Sequence, residues 1–158
     1  THPNTIWLRT GASVRSGGQG TATENQQEWI CDVGYVNGLS SLNSFLMASD
    51  LCVNLRFPTA GETSASCLRA MAAGCPVIVS DVGWYRELPS QCCPRIVHDG
   101  TEVSQLVAIF EAWHRSETDR LTNRMLARQY VASNCAPEKV AAAYVGFVET
   151  ILATEVLR

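Results

Sequence analysis

The residues best suited to chemistry lie between Arg56 and Arg69. Glu62 is a carboxylate with two acceptor oxygens, so it can take hydrogen bonds from two vicinal hydroxyls of a sugar. Gly61 beside it permits a sharp turn, and Thr63, Ser64, Ala65 and Ser66 after it are small side chains, mostly hydroxylated. The segment runs into an apolar stretch of helical spacing, and the first amides of a helix lack intrahelical partners and attract anions. Arg69, up to two turns into that helix, can pair with a phosphate. Hydroxyl and acidic side chains also gather at helix starts for capping alone, and an arginine there also serves as a solvated surface charge. Asp81 reads as a turn cap rather than a substrate ligand. Neither a Gly-x-Gly-x-x-Gly fingerprint nor a P-loop occurs, so spacing alone points to an anion site only weakly.

The elements that must position these residues alternate. Thr5–Thr10 reads as a strand, 11–23 as a mobile loop poor in apolar residues, Glu24–Ile30 as a helix and Cys31–Gly34 as a strand. Ser40 or Ser41 can cap a helix through Ala48 with Leu42, Phe45 and Leu46 inward, and Leu51–Leu55 follows as a strand. Glu62–Ala73 reads as a helix with Ala65, Leu68 and Ala72 inward and Gly74 as its stop. Pro76 cannot continue it, and Val77–Val79 is a β-branched strand. Asp81 and Gly83 turn the chain towards a strand at Arg95–Val97. Two helical stripes follow, Val103, Leu106, Val107 and Phe110, then Val140, Tyr144, Phe147 and Ile151 behind Pro137. Strands alternating with amphipathic helices predict an α/β fold, a parallel sheet with helices on both faces, which binds ligands beyond the carboxyl ends of its strands.

Composition narrows the classes. The chain has 158 residues, 46% apolar and 17% charged, as expected of a single globular domain spanning 1–158. A net charge of -3 argues against a nucleic-acid binder, and no apolar run is long enough to cross a bilayer. Seven cysteines and three histidines show no metal-ligand spacing, so no metal site is expected. Most of the cysteines interrupt apolar blocks and read as small core residues of a cytoplasmic protein, with Cys92 and Cys93 expected to be exposed and reactive.

The block Gly34-Tyr35-Val36, Ala48-Ser49-Asp50-Leu51, Pro58-Thr59-Ala60-Gly61-Glu62-Thr63-Ser64, then Leu68-Arg69-Ala70-Met71-Ala72-Ala73-Gly74-Cys75-Pro76-Val77-Ile78-Val79-Ser80-Asp81-Val82-Gly83 and Glu87-Leu88, resembles glycosyltransferase family 4. The resemblance is strong over about Cys31–Pro89 and loose over Thr1–Ile30. It implies a Rossmann-like C-terminal lobe of a retaining, two-lobed (GT-B) enzyme that uses a nucleotide-diphosphate sugar as donor substrate and no separate cofactor. By the same resemblance, Glu62 becomes the catalytic-site carboxylate that grips the donor sugar. Gly61 and the amides of Thr63, Ser64, Ala65 and Ser66 then hold sugar and phosphate, and the backbone at Tyr35 and Val36 reads the nucleobase.

The chain also departs from the family pattern. Arg69 stands where the family places a ribose-binding glutamate, and arginine accepts no hydrogen bond, so it is expected to meet phosphate or carboxylate instead. The basic pair that usually holds the diphosphate has no counterpart, as though the first strand–helix unit of the lobe were missing. The expectation is therefore a donor lobe that works with an N-terminal acceptor-binding lobe or partner chain. An unpaired sheet edge would also allow a homodimer. Other readings are a non-catalytic interaction domain derived from such a lobe and a sugar-nucleotide epimerase-like lobe.

Overall fold

The computed structural model describes residues 5–10 and 30–156. The loop expected over 11–23 and most of the helix expected over 24–30 lie outside the described residues; Ile30 itself opens a strand. In chain order the elements are β1 (Trp7–Thr10), β2 (Ile30–Gly34), α1 (Leu39–Ala48), β3 (Cys52–Asn54), α2 (Ala65–Ala72), β4 (Val77–Ser80), a 3-10 helix over Gly83–Glu87, β5 (Arg95–Ile96), α3 (Glu102–Arg115), α4 (Glu117–Asn134) and α5 (Pro137–Val156). The α/β class expected of the sequence is present. The described strands form two parallel sheets, β1-β2 and β3-β4-β5, instead of one continuous sheet.

The chain divides into two compact units, Thr1–Leu42 and Asn43–Arg158. In the first, β1 and β2 pair in parallel from Trp7 opposite Ile30 to Thr10 opposite Gly34, with an Arg9–Asp32 ion pair between neighbouring strands. Asp32 also accepts the Gly34 amide at 3.2 Å, and Gly34 takes φ +68°, so the strand ends where only glycine turns without strain. Ser40 and Ser41, expected as caps, lie within the first turn of α1, because the helix starts directly after Gly38.

In the second unit β4 is the middle strand, and all four of its residues are buried. A parallel strand covered on both faces must be apolar along its whole length, which Val77, Ile78 and Val79 satisfy. Against it packs α2, whose inward stripe is Cys67, Ala70 and Met71, with Gly74 continuing the same spacing. The expected stripe of Ala65, Leu68 and Ala72 is corrected: Ala65 and Ala72 are exposed and Leu68 is half-buried. Nearly every position of this helix is small or apolar, so periodicity alone could not choose the face. The C-terminus of α2 is closed by two crossing bonds, Gly74 N to Met71 O at 2.9 Å and Cys75 N to Ala70 O at 2.9 Å, with Gly74 at φ +77°. A side chain at Gly74 would also meet Arg128 of α4, which places α4 close against this corner.

Cys92 and Cys93 are fully buried, contrary to their expected exposure. Both their amides donate to Pro89 O, at 3.2 and 3.0 Å, and the turn carries both thiols into the core beside Cys67, Met71 and Cys75. Cys93 Sγ lies 3.6 Å from Met71 Sδ. All seven cysteines are free thiols, of which Cys67, Cys75, Cys92 and Cys93 are buried. Burial pushes the Cys75 thiol up to about 12 and the Cys52 thiol up to about 11, so both stay protonated and act as small apolar groups.

The two late stripes are not core. Val103 and Val107 of α3 are exposed. On α5, which begins at Pro137 as expected, Val140, Tyr144, Val145, Phe147, Val148, Ile151 and Leu152 are each at least 40% exposed. No helix among the described residues is long and apolar enough to cross a membrane.

Candidate functional site

The three-stranded sheet sends its loops out at the carboxyl ends of β3, β4 and β5. The loop after β3 is anchored at its start by Arg56 N, which donates to Ser80 Oγ at 2.9 Å at the end of β4. Phe57-Pro58 is joined by a cis peptide bond. Gly61 at φ +87° then reverses the chain and presents Glu62. Gly83, after β4, lies directly beneath. A Cβ built there would stand 3.1 Å from Thr59 Cγ2 and 3.3 Å from Gly61 Cα, so only glycine lets the two loops touch.

Glu62 folds back over its own loop. Its Oε1 is 2.8 Å from Arg56 Nη1, while its Oε2 accepts Thr59 Oγ1–H at 2.9 Å and Ala60 N–H at 2.9 Å. Its own backbone amide, then the Thr59 hydroxyl, the Arg56 guanidinium and the Ala60 amide hold the carboxyl well below its usual range, at about 2. Glu62 is therefore charged at any physiological pH and fixed in direction, yet its side chain is 44% exposed. A carboxylate has about four lone-pair sites. Its three loop partners and its own amide occupy about that many, so a ligand hydroxyl would exchange with one of them at the exposed side of the group.

The expected helix start at Glu62 is corrected. α2 begins at Ala65 with Ser64 as its cap, leaving Glu62 and Thr63 in the loop before it. Ser64 is buried, and its Oγ accepts Cys67 N at 3.3 Å. Asn54, the last residue of β3, donates to Ser64 Oγ at 3.2 Å and to Ser66 Oγ at 3.0 Å, and the two serine oxygens lie 3.1 Å apart. These hydroxyls thus lock strand to helix, and Ser64 and Ser66 have chiefly their amides to offer a ligand. Asn54 is the residue that sequence reasoning missed. Its only signal was a polar side chain ending an apolar strand.

Arg69 lies three residues after Ser66 and four after Ala65, on one face of α2. Helical side chains lean towards the helix N-terminus, so Arg69 stands on the side of α2 that carries those first-turn residues. Among the described residues no hydrogen bond or ion pair engages the Arg69 side chain, and the residue is half-buried. Gly61, Glu62, Thr63, Ser64, Ala65, Ser66 and Arg69 thus form one continuous feature of the second unit. Tyr35, exposed, and Val36, half-buried, follow β2 in the first unit in irregular backbone instead of continuing the strand.

Asp81 behaves as a turn residue. Arg86 Nε donates to its carbonyl at 3.1 Å and to its carboxylate at 3.3 Å. After β5, Asp99 Oδ1 accepts the Thr101 amide at 2.9 Å and hydroxyl at 2.6 Å, building the turn into α3. Among the described residues no group of three or more His, Cys, Asp or Glu side chains is arranged to hold a metal ion. Two surface hollows of 410 and 520 Å³ lie along α4, lined in the larger by Met47, Leu121, Met125 and Arg124, and neither includes the Glu62 loop.

Comparison with protein-family models, with curated proteins and with solved structures found no match for this chain.

Proposed function

We propose that this chain is the donor-binding lobe of a retaining glycosyltransferase, Rossmann-like in architecture, which binds a nucleotide-diphosphate sugar through the Glu62 loop and the start of α2. The observation that carries the reading is the state of Glu62. It is an ionised, exposed carboxylate clamped by Arg56, Thr59 and Ala60 immediately before a helix N-terminus. A carboxylate used only for capping would bond the helix amides, whereas this one points its bonds back into its own loop and stays exposed, where sugar hydroxyls can exchange with its loop partners. Arg69, on the face of α2 shared with Ala65 and Ser66, supports a phosphate there, since guanidinium and helix amides both favour anions.

In this reading Glu62 orients the sugar, while the amides from Thr63 to Ser66, with Arg69, stabilise the negative charge that grows on the departing diphosphate. Tyr35 and Val36 enter as base readers only through the sequence resemblance. The exposed apolar stripe on α5 supports an acceptor-binding lobe or partner chain, because contiguous exposed apolar surface of this kind marks places where protein packs.

The test is a calorimetric titration of UDP- and GDP-sugars against the unaltered chain, Glu62→Ala and Arg69→Ala. Glu62→Ala is expected to lose the preference for sugar nucleotide over bare nucleotide, and Arg69→Ala to weaken both. Equal binding by the unaltered chain and Glu62→Ala would overturn the sugar grip.

A further inference from the structure

The loop that carries Glu62 also carries Phe57, joined directly to the Arg56 that clamps the carboxylate. Phe57 is a large apolar side chain, yet 67% of it is exposed. It is not loose. One face of its ring stacks on His98, with centroids 4.3 Å apart and planes inclined by 28°. Because that face is covered, the exposed area belongs to the opposite face and the rim. His98 follows β5 whereas Phe57 follows β3, so the pair joins the loops on either side of the middle strand β4. The backing ring is itself held: His98 is half-buried, and its Nδ1 lies 3.6 Å from Glu102 Oε1 at the start of α3. Glu102 in turn accepts the Gly100 amide at 3.3 Å.

An aromatic ring fixed from behind and open in front is a stacking platform. We infer that Phe57 stacks on the apolar C–H face of the pyranose whose hydroxyls Glu62 grips, making the pair a selector for the sugar part of a nucleotide sugar. A pyranose offers what the two side chains need. Its polarised C–H groups suit the negative face of an aromatic ring, and its vicinal hydroxyls suit a carboxylate. A nucleobase can stack on such a ring as well, and its ribose carries a vicinal diol, so the bare-nucleotide arm of the experiment below separates the two. The inference rests on the donor-sugar reading of Glu62 and adds the surface against which the sugar lies.

The experiment compares UDP with UDP-glucose, and GDP with GDP-mannose, on the full chain and on Phe57→Leu, Phe57→Tyr and Glu62→Ala. Affinity is read by calorimetry and ring-proton contact by saturation-transfer NMR. Phe57→Leu is expected to weaken the sugar nucleotide about three- to tenfold, to leave the bare nucleotide unchanged and to reduce transfer from aromatic-proton irradiation to the sugar C–H protons. Phe57→Tyr should keep both affinity and transfer, which a merely space-filling role would not require. If Phe57→Leu leaves both affinities unchanged, or weakens bare and sugar nucleotide alike, the platform is refuted. If Glu62→Ala weakens the sugar nucleotide and Phe57→Leu does not, only the platform falls. If Glu62→Ala has no effect, or no probe binds the unaltered chain, the donor reading falls and the platform with it.

Discussion

Asn54→Ala tests whether the Glu62 loop is held in shape from below. Asn54 makes two side-chain hydrogen bonds, at 3.2 and 3.0 Å, that tie the end of β3 to the first turn of α2. Removing it orphans neither acceptor, because the Ser64 and Ser66 hydroxyls stay 3.1 Å apart and Ser64 still caps Cys67 N. The loss is therefore the net worth of two ordinary bonds, about 1–2 kcal/mol in all, and not the larger penalty of a buried group left unpaired. In a chain of this size that lowers the melting midpoint by roughly 2–8 °C. Ser64→Ala should cost more, since it removes the cap, worth about 1 kcal/mol, together with one of the two Asn54 bonds. Urea unfolding followed by circular dichroism measures both, with the slope checked for constancy so that the midpoint reports stability. An Asn54→Ala midpoint equal to that of the unaltered chain, or lower than that of Ser64→Ala, would refute this account of how strand and helix are joined.

Two further outcomes follow from the described geometry. The Glu62 carboxyl should titrate near 2 by carbon NMR, against an ordinary value of 4.5, and Arg56→Met or Thr59→Val should raise the midpoint towards the ordinary value. Because the folded-state value is the lowered one, what Glu62 adds to stability is complete above about 4.5 and is lost as the pH falls towards 2; a midpoint near 4.5 in the unaltered chain would remove the clamp. In native alkylation read by mass spectrometry, the exposed Cys31 should label first, and Cys92 and Cys93 only after denaturant is added; labelling of either at the rate of Cys31 would contradict their burial.

Much of the local structure was legible because short-range chemistry dictates it. Gly74 stopping α2, Pro137 opening α5 and the β-branched run of β4 were each read at or within one residue of their places. What was not legible depended on packing. Cys92 and Cys93 looked like a surface pair, because no sequence rule foresees a turn whose amides both seek Pro89 O and so carry both thiols inward. The stripes on α3 and α5 have the right period for burial, but period describes a helix's own asymmetry and not what lies against it. For the candidate site, one wiring was not foreseen: the Ser64 and Ser66 hydroxyls are turned towards Asn54.

That wiring changes what the site can recognise. With those hydroxyls occupied, the polar groups left to a ligand divide by sign along the chain. Glu62, paired with Arg56, supplies fixed acceptor oxygens that select hydrogen-bond donors. Three residues further on, the α2 amides and Arg69 supply positive potential that selects anions. A simple phosphate would meet only the second half. A free sugar would meet only the first. Under the proposed reading, a molecule that satisfies both is a neutral polyol joined directly to an anion. The wiring through Asn54 therefore does not weaken the nucleotide-sugar reading. It moves the burden from hydroxyl contacts, which many ligands could share, to an order of charges that few ligands match.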